Sequence, residues 1–336
     1  MYGQDVSELT RIKSFHPTEQ HQVIHPAQFL DELSAELTAS PASATIGVAK
    51  AVDYFSNSRK HFGQAWSGLV KAEISPHPAM QAIRLCPLTG RCASKPRGYA
   101  GDAVMIDYIY GTGVAIQPIE NVITQAIFAY TTSSPASRSV RYRRYRLADL
   151  IDSMAIRQLH RGKQGLRVLS VAAGHGREIE LSAAFQQGLI SEFVALDQDA
   201  ESLAELKRAC AGSASTVTPL KLSIKQLLGG KQDLGKFDLI YSAGLYDYLD
   251  TPLAKRLTAR LFEILQPSGR LLYANFAHDI HGVGYMEAAM DWWLTYRDAD
   301  ETKALSGEID SSQIASVKQY TDPDCNIHFV ELQKRL

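Results

Sequence analysis

The stretch Asn275-Phe-Ala-His-Asp-Ile-His281 brings two imidazoles and a carboxylate, His278, Asp279 and His281, within four positions. Side chains of these types do two kinds of chemistry. They ligate zinc, iron or manganese through nitrogen and oxygen donors, or they carry a proton as general bases. Asp247, preceded by Tyr246 in Gly-Leu-Tyr-Asp-Tyr-Leu, is a further candidate for either task. His278, Asp247 and His281 therefore form a candidate metal set, and His278, Asp247 and Tyr246 are candidate catalytic groups. Plainer readings stand beside these: a polar loop whose histidine touches a substrate directly, and an Asp247 that only caps a helix.

A second pattern suits binding. Val168-Leu-Ser-Val-Ala-Ala-Gly-His-Gly176 is an apolar run followed by small residues. Small residues let a backbone approach a ligand, and free amides at a helix start suit an anionic group. Ala172, Ala173 and Gly174 are the residues expected to touch that ligand. Gly-x-Gly alone is weak, but Asp197 follows about twenty residues later, where an acid closing a second strand can bind ribose hydroxyls, with Gln198 beside it. Asp199 is placed to cap the next helix, which leaves Asp197 for the ligand. Alanine at 172 prefers negative φ, so the turn is expected to be looser than in a dinucleotide binder, which argues against an NAD dehydrogenase.

Such residues need a scaffold, and the chain changes texture at Gly165 to supply one. From there short apolar runs alternate with helical patterns: strands at Leu166–Val171, Glu192–Leu196, Thr216–Leu220, Phe237–Ser242 and Arg270–Phe276, and helices at Arg177–Gln187, Ala200–Ala211, Ile224–Leu228 and Pro252–Leu265. That succession implies a parallel sheet with helices on both faces. Pro219 puts the third strand at an edge. Met286–Tyr296, containing Trp292 and Trp293, reads as an amphipathic helix, and Ala315–Tyr320 and Asn326–Leu332 as two antiparallel strands. Before Gly165 the pattern is helical, after a polar arm over residues 1–25. Helices are expected near Pro26–Leu37, Thr45–Ile74, Gly101–Tyr110, Pro118–Tyr130 and Ala136–His160. Two regions follow, 1–160 helical and 161–336 α/β.

Composition narrows the function. The 336 residues carry 35 Lys and Arg against 36 Asp and Glu, for a formal net charge of −1. No global field draws such a chain to nucleic acid or anionic lipid. The local exception is Arg141, Arg143, Arg144 and Arg146, which reads as a solvated or ion-paired helix face, a carboxylate-binding cluster or a nucleic-acid patch. No apolar run reaches a membrane span of about 18 residues, and the first twenty residues lack an export signal's apolar core. The expectation is a cytoplasmic protein with no membrane and no nucleic-acid partner. Cys86, Cys92, Cys210 and Cys325 lack Cys-x-x-Cys spacing and read as reduced thiols.

Four segments in order resemble the class I S-adenosylmethionine-dependent methyltransferases: VLSVAAGHGREIEL, ALDQDAESL, FDLIYSAGLYDYL and LQPSGRLLYANF. The resemblance covers about Leu166–Leu336 and implies a Rossmann-like seven-stranded sheet, last strand antiparallel, with S-adenosyl-L-methionine as cofactor. It implies Ser242 and Gly244 as further cofactor contacts. Two departures stand out: Ser170 occupies the position of the family's usual acid, and Ala172 replaces the first glycine. KPRGYAGD, SRSVRYRRYRLADL and GYMEAAMDWWLTYRD narrow the resemblance to a bacterial subgroup acting on small carboxylic acids. That subgroup includes α-keto acid C-methyltransferases of secondary metabolism and hydroxy fatty acid methyl ester synthases. It implies that the helical region is a lid, with Tyr99 or Arg144 on the methionine carboxylate of the cofactor and Asp102 on its amine.

Between the two reactions, C3 of an α-keto acid is preferred. An enolate needs a base, and a metal chelating the keto oxygen and carboxylate would make the C3 protons acidic, which a His/Asp loop suits, whereas a carboxylate is already a nucleophile and needs mainly alignment. The alternatives are carboxyl O-methylation of a hydroxy fatty acid and, from another class, a non-catalytic cofactor-binding module. A homodimer is allowed by the sequence.

Overall fold

The computed structural model describes residues 25–112, 118–163, 165–278 and 280–336. The expected N-terminal arm, apart from its last residue, and Asp279 lie outside them. Seven strands, β1 Leu166–Val171, β2 Ile190–Asp197, β3 Val217–Lys221, β4 Phe237–Ser242, β5 Leu265–Phe276, β6 Ile314–Thr321 and β7 Ile327–Lys334, form one sheet in the order β3-β2-β1-β4-β5-β7-β6. β1 to β5 pair in parallel, while β7 runs antiparallel between β5 and β6. This is the expected doubly wound α/β sheet. Its strand order reverses between β1 and β4, so their carboxyl ends flank the crevice where ligands bind in such sheets. Pro219 sits in β3, an edge strand, where a missing N–H is tolerated.

Two helices ahead of the sheet open on a Ser-Pro pair, one of them at Pro41, ahead of the expected Thr45, and the helix expected from Pro118 begins at Val122. Ser40-Pro41 and Ser134-Pro135 open the helices Pro41–Phe62 and Pro135–His160, each serine accepting an amide three residues on, from Ser43 at 3.1 Å and Ser137 at 3.3 Å. Proline at the first helical position costs no hydrogen bond, because that amide has no partner in any helix. Two apolar clusters flank the sheet. One joins Leu169, Ile240 and Leu271 to the helices Ile224–Leu228 and Thr251–Glu263. The other joins Phe193, Leu239 and Leu272 to Leu30, Phe55, Trp66 and Leu150, so the preceding helices share a core with one sheet face. Gly284, in the helix Val283–Ala288, lets that helix meet Phe55 closely: a Cβ there would lie 2.3 Å from the Phe55 carbonyl. Buried Glu287 then receives Arg59 Nε at 2.8 Å and Trp66 Nε1 at 2.7 Å.

Two local expectations are corrected. The helix expected over Arg177–Gln187 is a series of turns followed by a short helix, Ala183–Gln186. Asp152 accepts from Ser182 Oγ (2.6 Å) and the amides of Ala183 (3.1 Å) and Ala184 (2.9 Å), which starts a new helix there. Trp292 and Trp293 lie outside any helix, because Asp291 adopts φ 46° and takes the Trp293 indole N–H at 2.7 Å. The helix Ala299–Ala304 escaped the apolar pattern; its signal was the reciprocal Asp298/Glu301 cap. Cys86 and Cys92 are buried free thiols. Among the described residues no helix is long and apolar enough to cross a membrane.

Candidate active site

β1 leaves the sheet into a tight turn. Ala172, Gly174 and Gly176 all take positive φ, at 55°, 54° and 60°. This corrects the looser turn expected from alanine: Ala172 adopts the left-handed conformation, a strain of about 1 kcal/mol. Two bonds hold it there. Ala173 N–H donates to the Leu196 carbonyl at 3.1 Å and Gly174 N–H to Asp197 Oδ2 at 2.8 Å. Asp197 Oδ1 accepts from the Asp199 amide at 2.9 Å, while Asp199 itself caps the helix Ala200–Ala209. Burial pushes the Asp197 carboxyl up, and these amides pull it back.

The turn opens onto a cavity of about 560 Å³, within the ~300–1,000 Å³ of small-molecule sites. Of the residues singled out in the sequence, Tyr99, Ala172, Ala173, Gly174, Asp197, Gln198, Gly244 and Asp247 line it. Six others do not. Asp102 is fully buried, caps the helix Ala103–Tyr110 and receives Arg91 Nε at 2.7 Å. Arg144 donates to the Arg177 carbonyl and to Glu180, both at 2.8 Å. Ser242 Oγ donates to the Val171 carbonyl at 3.0 Å, tying β4 to β1. Tyr246 is buried against Tyr273, with its hydroxyl 2.9 Å from Thr258. His278 and His281 are half-exposed and turned to Glu301 (2.8 Å) and Asp53 (3.1 Å). The candidate metal set therefore does not assemble; no group of three His, Cys, Asp or Glu able to hold a metal occurs among the described residues. The physical reason is that Asp247 is drawn under the sheet end by the Phe276 amide, while the two histidines point to solvent-facing acids.

Asp247 is almost completely buried. Oδ1 accepts from Phe276 N–H at 2.7 Å, and no described residue takes Oδ2. Burial raises its pKa to about 7, against the pull of Arg143 and Arg297. Next to it, Tyr248 Oη accepts the Trp292 indole N–H at 2.8 Å, which leaves its own proton to donate. Burial pushes that phenol well above its ordinary range, so it stays protonated.

The resemblance points to Arg144 within the arginine cluster; the structure turns Arg143 to the cavity instead. Arg141 donates to the Ile109 and Thr132 carbonyls, and Arg146 pairs with Glu331 and Asp149. Arg143 is only 8% exposed, yet its guanidinium makes no hydrogen bond or ion pair with a described residue. Its guanidinium lies 3.5 Å from where a Cβ on Gly244 would be. The signal was Val140-Arg143-Leu147, three- and four-residue spacing that marks the inward stripe of the helix. A buried ion network anchors this wall to the turn. Asp107 takes His175 Nδ1 at 2.8 Å and Arg177 at 2.9 and 2.8 Å; burial would raise its carboxyl, but these partners hold it below the usual range.

Residues 168–269 match a family model described as a methyltransferase domain. No curated protein sequence matches the chain. Among solved structures, a possible exported protein from Bordetella parapertussis is 16% identical, covers 95% of this chain and 100% of its own, and superposes with a TM-score of 0.58. Magnesium protoporphyrin IX methyltransferase from Synechocystis PCC 6803, with bound SAH, is 14% identical over 75% of this chain and 99% of its own, at a TM-score of 0.44. The N-methyltransferase NodS from Bradyrhizobium japonicum WM9, in complex with S-adenosyl-L-homocysteine, is 13% identical over 55% and 86%, at 0.38.

Proposed function

We propose that this S-adenosylmethionine-dependent methyltransferase methylates a small carboxylic acid, at C3 of an α-keto acid. The observation carrying this reading is a pair in one cavity: Arg143, a buried guanidinium without an ion-pair partner among the described residues, and Asp247, a carboxyl held near pKa 7. A guanidinium excluded from water favours a carboxylate strongly and binds it through two parallel N–H groups. A base whose pKa matches the working pH transfers protons best.

Residue roles follow from that arrangement. Arg143 binds the carboxylate of the acid. Asp247 Oδ2 takes a proton from C3, and Tyr248 donates its hydroxyl proton in a hydrogen bond to the keto oxygen, where enolate charge develops. Bound S-adenosylmethionine would supply the methyl group to C3 as a sulfonium methyl, its sulfur keeping the electron pair of the broken bond. On the cofactor side, Asp197 receives the ribose hydroxyls, with Gln198 and the Ala172–Gly174 turn beside it. Tyr99, Tyr110 and Arg143, all contributed by the residues before β1, exclude water and make that region a lid.

Carboxyl O-methylation is the second reading, supported by the absence of His278 and His281 from the cavity wall. It needs no base. A screen of α-keto acids and hydroxy fatty acids, with products sorted by mass and by resistance to alkali, separates the two: a C-methyl product survives saponification and an ester does not. In the C3 reaction Asp247→Asn is expected to lower kcat by about 10²–10⁴ with cofactor affinity retained. The wild-type kcat should fall on the acid side of about pH 7 as Asp247 becomes protonated. Full activity of Asp247→Asn, or a saponifiable product, overturns the C3 reading.

A further inference from the structure

We propose that Glu178 binds the α-ammonium group at the methionine end of the cofactor, in the place left by Ser170. On β1 the residue ahead of the glycine turn is a serine, so the strand itself offers no carboxylate to a cation. The sheet register sets Ser170 beside Tyr241 on β4. Tyr241 Oη donates to Glu178 Oε1 at 2.6 Å, and Ser170, Tyr241 and Glu178 all line the main cavity. A carboxylate thereby reaches the cavity that Ser170 lines from the turns that follow β1, eight positions later in the chain.

Glu178 is only 7% exposed, and apart from Tyr241 and its own backbone amide nothing described holds its carboxylate. No described cation pairs with it, although Arg177 before it is saturated by Asp107, Glu180 and Glu205. Leaving a buried carboxylate unpaired is costly, and burial raises its pKa accordingly. A ligand ammonium arriving in the cavity lowers that cost and favours the ionised form. Glu178 stands by the turn that Asp197 braces, whereas Arg143 and Asp247 stand by Gly244. Arg143 also acts on Glu178 through space, without an ion pair, and the inference about Glu178 holds whichever acid is methylated.

Calorimetric titration of the full chain tests it with three ligands: S-adenosylmethionine, S-adenosylhomocysteine, which keeps the ammonium but not the sulfonium, and 5′-methylthioadenosine, which lacks both. Glu178→Gln preserves the shape and the bond with Tyr241. It is expected to weaken S-adenosylmethionine and S-adenosylhomocysteine by about tenfold or more, the scale of a charge-assisted hydrogen bond, and to leave methylthioadenosine unchanged. Equal weakening of all three, or unchanged S-adenosylhomocysteine binding, overturns the proposal; loss confined to S-adenosylmethionine assigns Glu178 to the sulfonium and overturns it as well. Should Glu178→Gln fail to fold, Tyr241→Phe reads the same contrast. Selective weakening of S-adenosylhomocysteine over methylthioadenosine is the expected result, and parallel behaviour of the two ligands is the contrary one.

Discussion

Asp197 illustrates how much one carboxylate does. Each oxygen accepts a backbone amide, from Gly174 and from Asp199, so the side chain fixes the turn that it also borders. Each oxygen retains a second lone pair for a ribose hydroxyl. Asp197→Asn keeps the size, loses the charge and can serve only one of the two amides. Weakening of S-adenosylmethionine by about 1.5–3 kcal/mol is expected, the scale of hydrogen bonds to a charged group, as read by calorimetry. Unchanged affinity would move the ribose elsewhere. Arg143 and Arg144 teach the complementary lesson: neighbouring residues of one type, about 100° apart on a helix, face a cavity and an internal ion pair respectively.

At the scale of elements, the decisive contacts are close backbone approaches. The helix Val283–Ala288 packs on Pro41–Phe62 at Gly284, where an added Cβ would meet the Phe55 carbonyl carbon and oxygen at 2.3 Å. Backbone atoms cannot swing aside as a side-chain end can. Gly284→Ala should therefore destabilise by about 1–3 kcal/mol, the usual range for overpacking. Gly68→Ala, a helical site with open space around its would-be Cβ, should be neutral or stabilising by up to about 1 kcal/mol. Denaturant melts of the two variants compare them directly, and equal effects would show that the approach at Gly284 is slack.

For the whole molecule, the question is whether residues before β1 are a separable attachment. Leu30, Phe55, Trp66 and Leu150 share a cluster with Phe193 and Leu239 of the sheet, and Asp107 bonds the turn residues His175 and Arg177. A chain beginning at Gly162 would expose that sheet face and lose Tyr99, Tyr110 and Arg143 from the cavity. It is expected to aggregate or to bind S-adenosylmethionine far more weakly than the full chain. Cofactor affinity equal to that of the full chain would refute the lid.

What could be read from the sequence was whatever depends on local pattern. Short apolar runs between turn residues marked β1 to β5, Pro219 marked an edge, and the small-residue turn with Asp197 marked the wall of the main cavity, because strand ends and glycine turns are encoded within a few neighbouring residues. What the tertiary structure alone decided was which polar groups reach one another. His278 and Asp247 sit near successive strand ends, yet one faces Glu301 outside and the other is sealed under Phe276 N–H. Asp102 is consumed by Arg91 and a helix cap, while Glu178, eight residues beyond Ser170, reaches the cavity through Tyr241. Periodicity reports a side chain's face on its own element; its partner is set by how distant elements pack, and no local pattern carries that information.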